Sequence, residues 1–192
     1  MITMKFLDRG YPHLLRSAWP ALRFVAIGAL AYFGLDFLYN HFYLAYYQSL
    51  GTVNSDPFTR MYSHHAGALL SLMGVDAAVR DSSGLFGCII AVNGIPQVLV
   101  VPSCNGVANM IMLLTLLLAF PGPISKKLWF IPTALVVFYG CNVLRASLLT
   151  LLHDSSYTQY FKEVKPVVNA FIHISLFIIF VLWLKISVKK FK

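Results

Sequence analysis

Residues 128–152 read LWFIPTALVVFYGCNVLRASLLTLL, an apolar run that contains one charged side chain, Arg145. The run exceeds the roughly 20 apolar residues that a helix needs to cross the hydrocarbon core of a bilayer. An arginine inside such a helix costs at least ~2.5 kcal/mol unless it finds a partner or water. The segment therefore predicts a transmembrane helix in which Arg145 serves a function, with Asn142 on the same helix face.

The composition of the whole chain is also typical of a membrane protein. Of the 192 residues, 58% are hydrophobic and 11% are charged, whereas soluble domains average roughly 45–50% apolar and about 25% charged residues. The net charge of +8 does not indicate nucleic acid as a partner, because the basic residues cluster at the ends of apolar segments. We expect a single membrane-embedded domain over residues 1–192.

Three further apolar segments are candidate spans, at 24–44, 102–120 and 166–188. Together with 128–152 they predict an all-α polytopic membrane protein with about four transmembrane helices. The first run continues past the length of a signal-peptide h-region, so we expect it to remain as an anchor. The second is short and spans only if it begins near Pro102.

The segment 48–103, between the first two spans, is mixed in character and is assigned to the outer face. Within it, residues 57–79 read as a helix whose apolar face is interrupted by polar residues such as His64 and Asp76. This pattern favours an interfacial or re-entrant helix.

Two β-prone runs follow, at 88–92 and 95–101. They are joined by Asn93-Gly94, the dipeptide that a two-residue type I′ turn requires, and predict a small outer-face β-hairpin. If both the helix and the hairpin segment instead cross the membrane, Cys104 still lies outside.

The orientation follows from the basic residues. A four-helix path with both termini inside places ten Lys and Arg residues inside and four outside, with Arg145 in a helix. The inside set is Lys5, Arg9, Arg16, Arg23, Lys126, Lys127, Lys185, Lys189, Lys190 and Lys192, and the outside set is Arg60, Arg80, Lys162 and Lys165. This bias follows the positive-inside rule, so we expect both termini in the cytoplasm.

Three chemically active side chains fall at similar depths in this topology. Cys104 opens the second span, where the free N–H groups of a helix N-terminus favour a thiolate. Arg145 lies eight residues before His153 at the outer end of its span, and His173 lies seven residues past Pro166. At 1.5 Å per residue both side chains are roughly 10–12 Å from the same surface.

Cysteine, histidine and arginine together suit acyl transfer. A thiolate attacks a peptide carbonyl, a histidine passes a proton to the leaving amine, and a guanidinium stabilises the oxyanion. Asn169, one turn before His173, is expected to orient its imidazole, and Asn142 to support Arg145. His153 is an alternative base. No metal or organic cofactor is implied.

From about Gly87 to the C-terminus, the chain resembles the exosortase/archaeosortase family of membrane-embedded cysteine transpeptidases. The similar elements are Cys104-Asn105-Gly106 at the start of a helix, the N-x-x-R element from Asn142 to Arg145, and His173 in the last outer-leaflet segment. The chain departs from the family at Asn105, where a serine usually follows the cysteine. Asn105 is a further residue that we expect to support the site. The chain also has Ser175-Leu176-Phe177 where Gly-aromatic residues are more frequent.

The resemblance implies a cysteine protease and transpeptidase in the plasma (inner) membrane, with its active site facing outward. It would cleave C-terminal sorting signals of exported proteins at the outer leaflet and transfer the products to an acceptor. Its expected partners are these exported proteins and membrane lipid, and not nucleic acid.

Two other classes of function remain as alternatives. One is a small channel or transporter in which Arg145 lines an anion path. The other is a quinone-linked thiol oxidoreductase, which requires Cys88 and Cys104 to form a pair. We otherwise interpret Cys88 and Cys141 as buried structural residues.

Overall fold

The computed structural model describes residues 12–51, 55–153 and 158–188. Within these ranges the chain is mostly helical and includes one small sheet. In chain order the elements are α1 (Pro12–Phe37), a π-helical segment (Leu38–Leu44), α2 (Ala45–Ser49), α3 (Pro57–Leu72), β1 (Ala77–Asp81), β2 (Cys88–Val92), β3 (Ile95–Val100), a 3-10 turn (Pro102–Cys104), α4 (Val107–Ala119), α5 (Ile124–His153) and α6 (Thr158–Val188).

Three described helical stretches are long and apolar enough to cross a membrane, namely Ala18–Ser49, Ile124–His153 and Glu163–Ser187. The chain is therefore a membrane protein, as its composition predicts. Helix α4 is apolar but has only 13 residues, which corresponds to about 20 Å of rise. The predicted count of four spans is not confirmed.

Several predicted boundaries were wrong. The segment 102–120 is not one helix, because Gly106 adopts a left-handed conformation (φ +87°) between the 3-10 turn and α4. Helix α6 begins eight residues before Pro166, which lies inside it. Proline is tolerated in membrane helices because neighbouring groups satisfy the freed backbone. The depth of His173 was counted from Pro166 as the start of the helix, so that depth no longer applies.

The helix predicted over 57–79 is also shorter than expected. It begins after Asp56, whose carboxylate accepts a hydrogen bond from Thr59 N at 3.0 Å, and it ends at Leu72. Gly74 then takes a left-handed φ of +82° and turns the chain into β1, a strand that the sequence analysis missed.

The predicted hairpin is present but belongs to a three-stranded antiparallel sheet of order β1-β2-β3. Asn93 and Gly94 form its turn with positive φ angles of 52° and 78°, as the Asn-Gly dipeptide predicts. The sheet packs on α3 and α5 through a buried apolar cluster that includes Tyr62, Ile90 and Val143. This packing fixes β3, and the turn that follows it, against the helices.

A second apolar core lies between α4, α5 and α6 and includes the fully buried Leu117, Phe138 and Trp183. At one end of this core the Lys126 ammonium donates a hydrogen bond to the carbonyl of Ile186 at 2.7 Å. The first half of α5 is thus packed against the second half of α6, and α5 also contacts the sheet through Val143 and Ala146.

Candidate active site

A cavity of about 470 Å³ lies where the sheet meets α5 and α6. Cys104, Arg145 and His173 all line it, and they come from the 3-10 turn, α5 and α6 respectively. Lys165 and Asn169 of α6 line it as well. The structure thus brings together the three side chains for which the sequence predicts a common location, whereas His153 is not among the lining residues.

Cys104 is the last residue of the 3-10 turn, and its side chain is exposed. Its own N–H donates to the carbonyl of Val101 at 2.8 Å. Helix α4 begins only at Val107, whose N–H is capped by the Asn105 side-chain oxygen at 3.0 Å. The prediction that Cys104 opens the helix was therefore wrong by three residues, and Asn105 already takes one of the free N–H groups of α4.

Arg145 reaches the cysteine from α5. Its Nη2 donates a hydrogen bond to the Cys104 carbonyl oxygen at 3.0 Å, and its buried Nε has no hydrogen-bond partner among the described residues. Its charge also acts on Tyr62 of α3: burial raises the pKa of the Tyr62 hydroxyl, and the nearby guanidinium opposes that rise. The guanidinium is thus held beside the backbone of the cysteine.

His173 has one ring nitrogen close to its own helix. Its Nδ1 lies 3.3 Å from the backbone carbonyl oxygen of Asn169. Since a carbonyl only accepts, this contact requires the proton on Nδ1 and leaves Nε2 as the basic nitrogen. Asn169 thus contacts the imidazole through its backbone carbonyl, while its side chain is among the groups that line the cavity.

The two asparagines next to the site are fully buried. Asn142 Nδ2 donates to the Asn105 carbonyl at 2.9 Å, which ties α5 to the turn. Asn105 Nδ2 donates to the Tyr39 hydroxyl at 3.0 Å and to Thr59 Oγ1 at 2.9 Å. Asn105, which follows the cysteine, is therefore held by the π-helical segment, α3 and α5 together.

The family of the chain follows from comparison with known proteins. The model of the transmembrane exosortases matches residues 13–185. This chain belongs to the transmembrane exosortase family. The resemblance seen in its sequence motifs is thereby confirmed, and membership supports a membrane transpeptidase that acts in protein sorting. Searches of curated proteins and of solved structures gave no match.

Sequence reasoning missed three residues around the site of this exosortase. Tyr39 and Thr59 accept the hydrogen bonds of Asn105, and the hydroxyl of the fully buried Tyr62 donates to the Asn142 carbonyl at 2.8 Å. Tyr39 lies in the aromatic-rich stretch at the end of the first apolar segment. The only signal for these residues in the sequence was that they are polar groups on otherwise apolar helices. That pattern does not predict which residues they bond to.

The cysteines of the exosortase fold are all free. Cys88 is fully buried in β2, and its Sγ lies 3.2 Å from Ser55 Oγ. Burial raises the pKa of the Cys88 thiol, and the nearby Asp81 carboxylate adds to that rise. Cys88 and Cys104 therefore differ in exposure, and they are not bonded to each other.

Proposed function

We propose that the protein is a cysteine protease and transpeptidase that cleaves C-terminal sorting signals of exported proteins at the outer leaflet of the plasma membrane. It then passes the acyl group to an acceptor. The observation that carries this proposal is the single cavity lined by Cys104, Arg145 and His173. Its substrates are exported proteins, in keeping with the exosortase family.

Each side chain has one role in the proposed reaction. His173 Nε2 takes the thiol proton as the Cys104 sulfur attacks the substrate carbonyl, and it passes that proton to the leaving amine. The product is a thioester on Cys104. A nucleophile of the acceptor then attacks the thioester, gives its proton to His173 and releases the cysteine.

Arg145 supports both acyl-transfer steps. One of its N–H groups is bonded to the Cys104 carbonyl, which leaves other N–H groups of the same fork to donate to the oxyanion that forms beside the sulfur. Because Asn142 and Tyr62 fix the neighbouring backbone, the fork is oriented before the substrate binds. Such preorganisation is the main source of electrostatic stabilisation in acyl-transfer enzymes.

The alternatives have less support. An oxidoreductase needs a cysteine pair, but Cys88 is buried in the sheet while Cys104 opens to the cavity. An anion path needs Arg145 to face a conduit, but one arm of its guanidinium is bonded to the Cys104 backbone. His153 as the base would need to reach a cavity that it does not line.

Replacing the nucleophile tests the proposal. Cys104→Ala and Cys104→Ser should abolish processing of exported proteins in the native host, while expression in the membrane is retained. Serine should fail because its hydroxyl is far less acidic than a thiol. The matched control is Cys141→Ala on α5, which should process within a few-fold of the wild type. Immunoblots of exported proteins report the shift from precursor to product, and normal processing in Cys104→Ala would end the assignment.

A further inference from the structure

The strand that leads to Cys104 lies at the edge of the sheet. In the order β1-β2-β3, β3 pairs with β2 on one side and with no other described strand. An edge strand presents unpaired N–H and C=O groups, and an extended peptide can add to it as a further strand. Whether this edge is usable depends on which groups of β3 face away from β2.

A hydrogen bond just past the paired ends of β1 and β2 shows which residues of β2 turn their backbone groups toward β1 and which turn them toward β3. Ser82 N donates to Gly87 O at 3.0 Å, and these residues are opposed one step past the pair Asp81 and Cys88. Hydrogen-bonded and non-hydrogen-bonded pairs alternate along an antiparallel ladder. Ile89 therefore turns its backbone groups toward β1, and Cys88 turns its groups toward β3.

The same alternation carries across to β3. Cys88 is opposite Val100, and Ile89 is opposite Leu99. Val100 therefore points its N–H and C=O at β2, while those of Leu99 point away from the sheet. Outside the ladders of the sheet, Leu99 forms no backbone hydrogen bond with another described residue. One pair of strand-forming groups is thus open at this edge.

The open edge borders the cavity of the site. Val98, Leu99 and Val100 all line the cavity with Cys104. Successive side chains of a strand point to opposite faces of the sheet, so a space that touches three consecutive residues runs along the edge of the strand. The chain then stays extended at Val101 (φ −104°, ψ 164°) before the turn that carries the cysteine.

We propose that the substrate peptide binds as a fourth, extended strand beside β3 and pairs with the N–H and C=O of Leu99. This inference rests on the proposed function, since a peptide carbonyl must reach Cys104 in the same cavity. Strand addition supplies main-chain hydrogen bonds that do not depend on side chains. The pairing fixes the direction of the peptide and aligns it along the strand edge, so that its carbonyl lies toward the Cys104 sulfur. The walls of the cavity select the side chains of the peptide.

A peptide reagent tests the pairing without knowledge of the natural substrate. Acetyl-tetraalanyl chloromethyl ketone alkylates a thiol with loss of chloride, and each of its residues can be N-methylated singly. Strand pairing uses the N–H of every second peptide residue. We expect N-methylation to slow the alkylation of Cys104 by roughly tenfold at the one position whose N–H bonds to the Leu99 carbonyl, and to have little effect at the neighbouring positions. Mass spectrometry of the purified protein measures the rates.

Leu99→Pro removes the open N–H from the enzyme side. Proline is tolerated at strand edges where its N–H is not needed by the sheet, and Pro96 already lies in β3. We expect Leu99→Pro to slow alkylation by the unmethylated peptide by roughly tenfold, because the hydrogen bond from the Leu99 N–H to the peptide carbonyl is lost. Iodoacetamide, which cannot pair, should still alkylate Cys104 at the wild-type rate. Leu99→Ala, which keeps the N–H, is the matched control and should retain the wild-type rate with the peptide.

The outcomes separate the two proposals. Equal rates for all the N-methylated peptides, or a wild-type rate of the unmethylated peptide with Leu99→Pro, would overturn strand pairing. If Leu99→Pro exposes the buried Cys88 to iodoacetamide, the variant is misfolded and the N-methyl scan on the wild type decides alone. Normal processing of exported proteins by Cys104→Ala would instead overturn the proposed function, whatever the peptide rates show.

Discussion

At the scale of single residues, Arg145 is the side chain that best separates a catalytic role from a structural one. Its guanidinium holds the Cys104 carbonyl and acts on Tyr62. A structural anchor would need only the charge and one donor. Oxyanion stabilisation needs a planar fork that holds the backbone with one arm and offers further N–H groups to the substrate.

Arg145→Lys should leave the protein folded but lower processing by about 10²–10³, the usual cost of losing one oxyanion donor. Lysine keeps the charge but lacks the planar fork. Rates of precursor loss in pulse-chase labelling measure the effect. Arg60→Lys is the matched control, because Arg60 pairs with Asp81 on an exposed surface; it should remain near the wild-type rate. A near-normal Arg145→Lys, with unfolding of Arg145→Ala, would assign the residue to structure.

At the scale of elements, the connection between the turn and α4 is set by the close approach of α5. Gly106 has a φ of +87°, and a Cβ atom at this position would lie 1.7 Å from Asn142 Nδ2. The side chain of Asn142 is fully buried and donates to the Asn105 carbonyl. The glycine therefore allows α5 to hold the backbone of the active-site turn.

Gly106→Ala should destabilise the protein by more than about 2 kcal/mol, because it adds left-handed strain and forces Asn142 off its hydrogen bond. Thermal unfolding of the detergent-solubilised protein measures the change. Gly140→Ala on α5, where a Cβ atom meets nothing within 4 Å, is the control and should unfold near the wild-type temperature. If Gly106→Ala and Gly140→Ala unfolded at the same temperature, the hydrogen bond of Asn142 would not require a glycine at position 106.

At the scale of the whole molecule, the basic residues Arg23, Lys126 and Lys127 lie at the end opposite the cavity that contains Cys104. Arg23 and Lys127 line one cavity, and the neighbouring Lys126 bonds to the end of α6. Arg145 is 18 residues beyond Lys127 on the same helix, or about 27 Å of rise. That distance approaches the thickness of the hydrocarbon core, which supports a site at the surface opposite the basic end.

Labelling with a membrane-impermeant maleimide tests the orientation in whole cells. In the Cys104→Ala background, Glu163→Cys, in the first turns of α6, should be labelled in intact cells because this end of α6 is expected outside. Ser125→Cys, at the start of α5, should be labelled only after lysis. Both positions are exposed in the structure, so they serve as controls for each other. Labelling of Ser125→Cys in intact cells would invert the topology derived from the basic residues.

The sequence alone determined the features that depend on neighbouring residues or on the cost of polar groups in lipid. Apolar length predicted the helix at 128–152, and Asn93-Gly94 predicted the hairpin turn because both positions need positive φ. Arg145 was singled out because its charge is costly in an apolar helix. Cys104 and His173 followed from their types and positions, and the three motifs together indicated the family.

Only the tertiary structure decided which distant groups meet. The hydrogen bond from Arg145 to the Cys104 carbonyl joins residues 41 positions apart, and that from Asn105 to Thr59 joins residues 46 apart. Strand β1 forms because β2 offers it a partner, a contact that local propensity does not encode. The open edge at Leu99 likewise follows from pairing across the sheet. Such contacts are set by how α3, α5 and the sheet pack, since sequence periodicity reports the buried face of an element but not its neighbour.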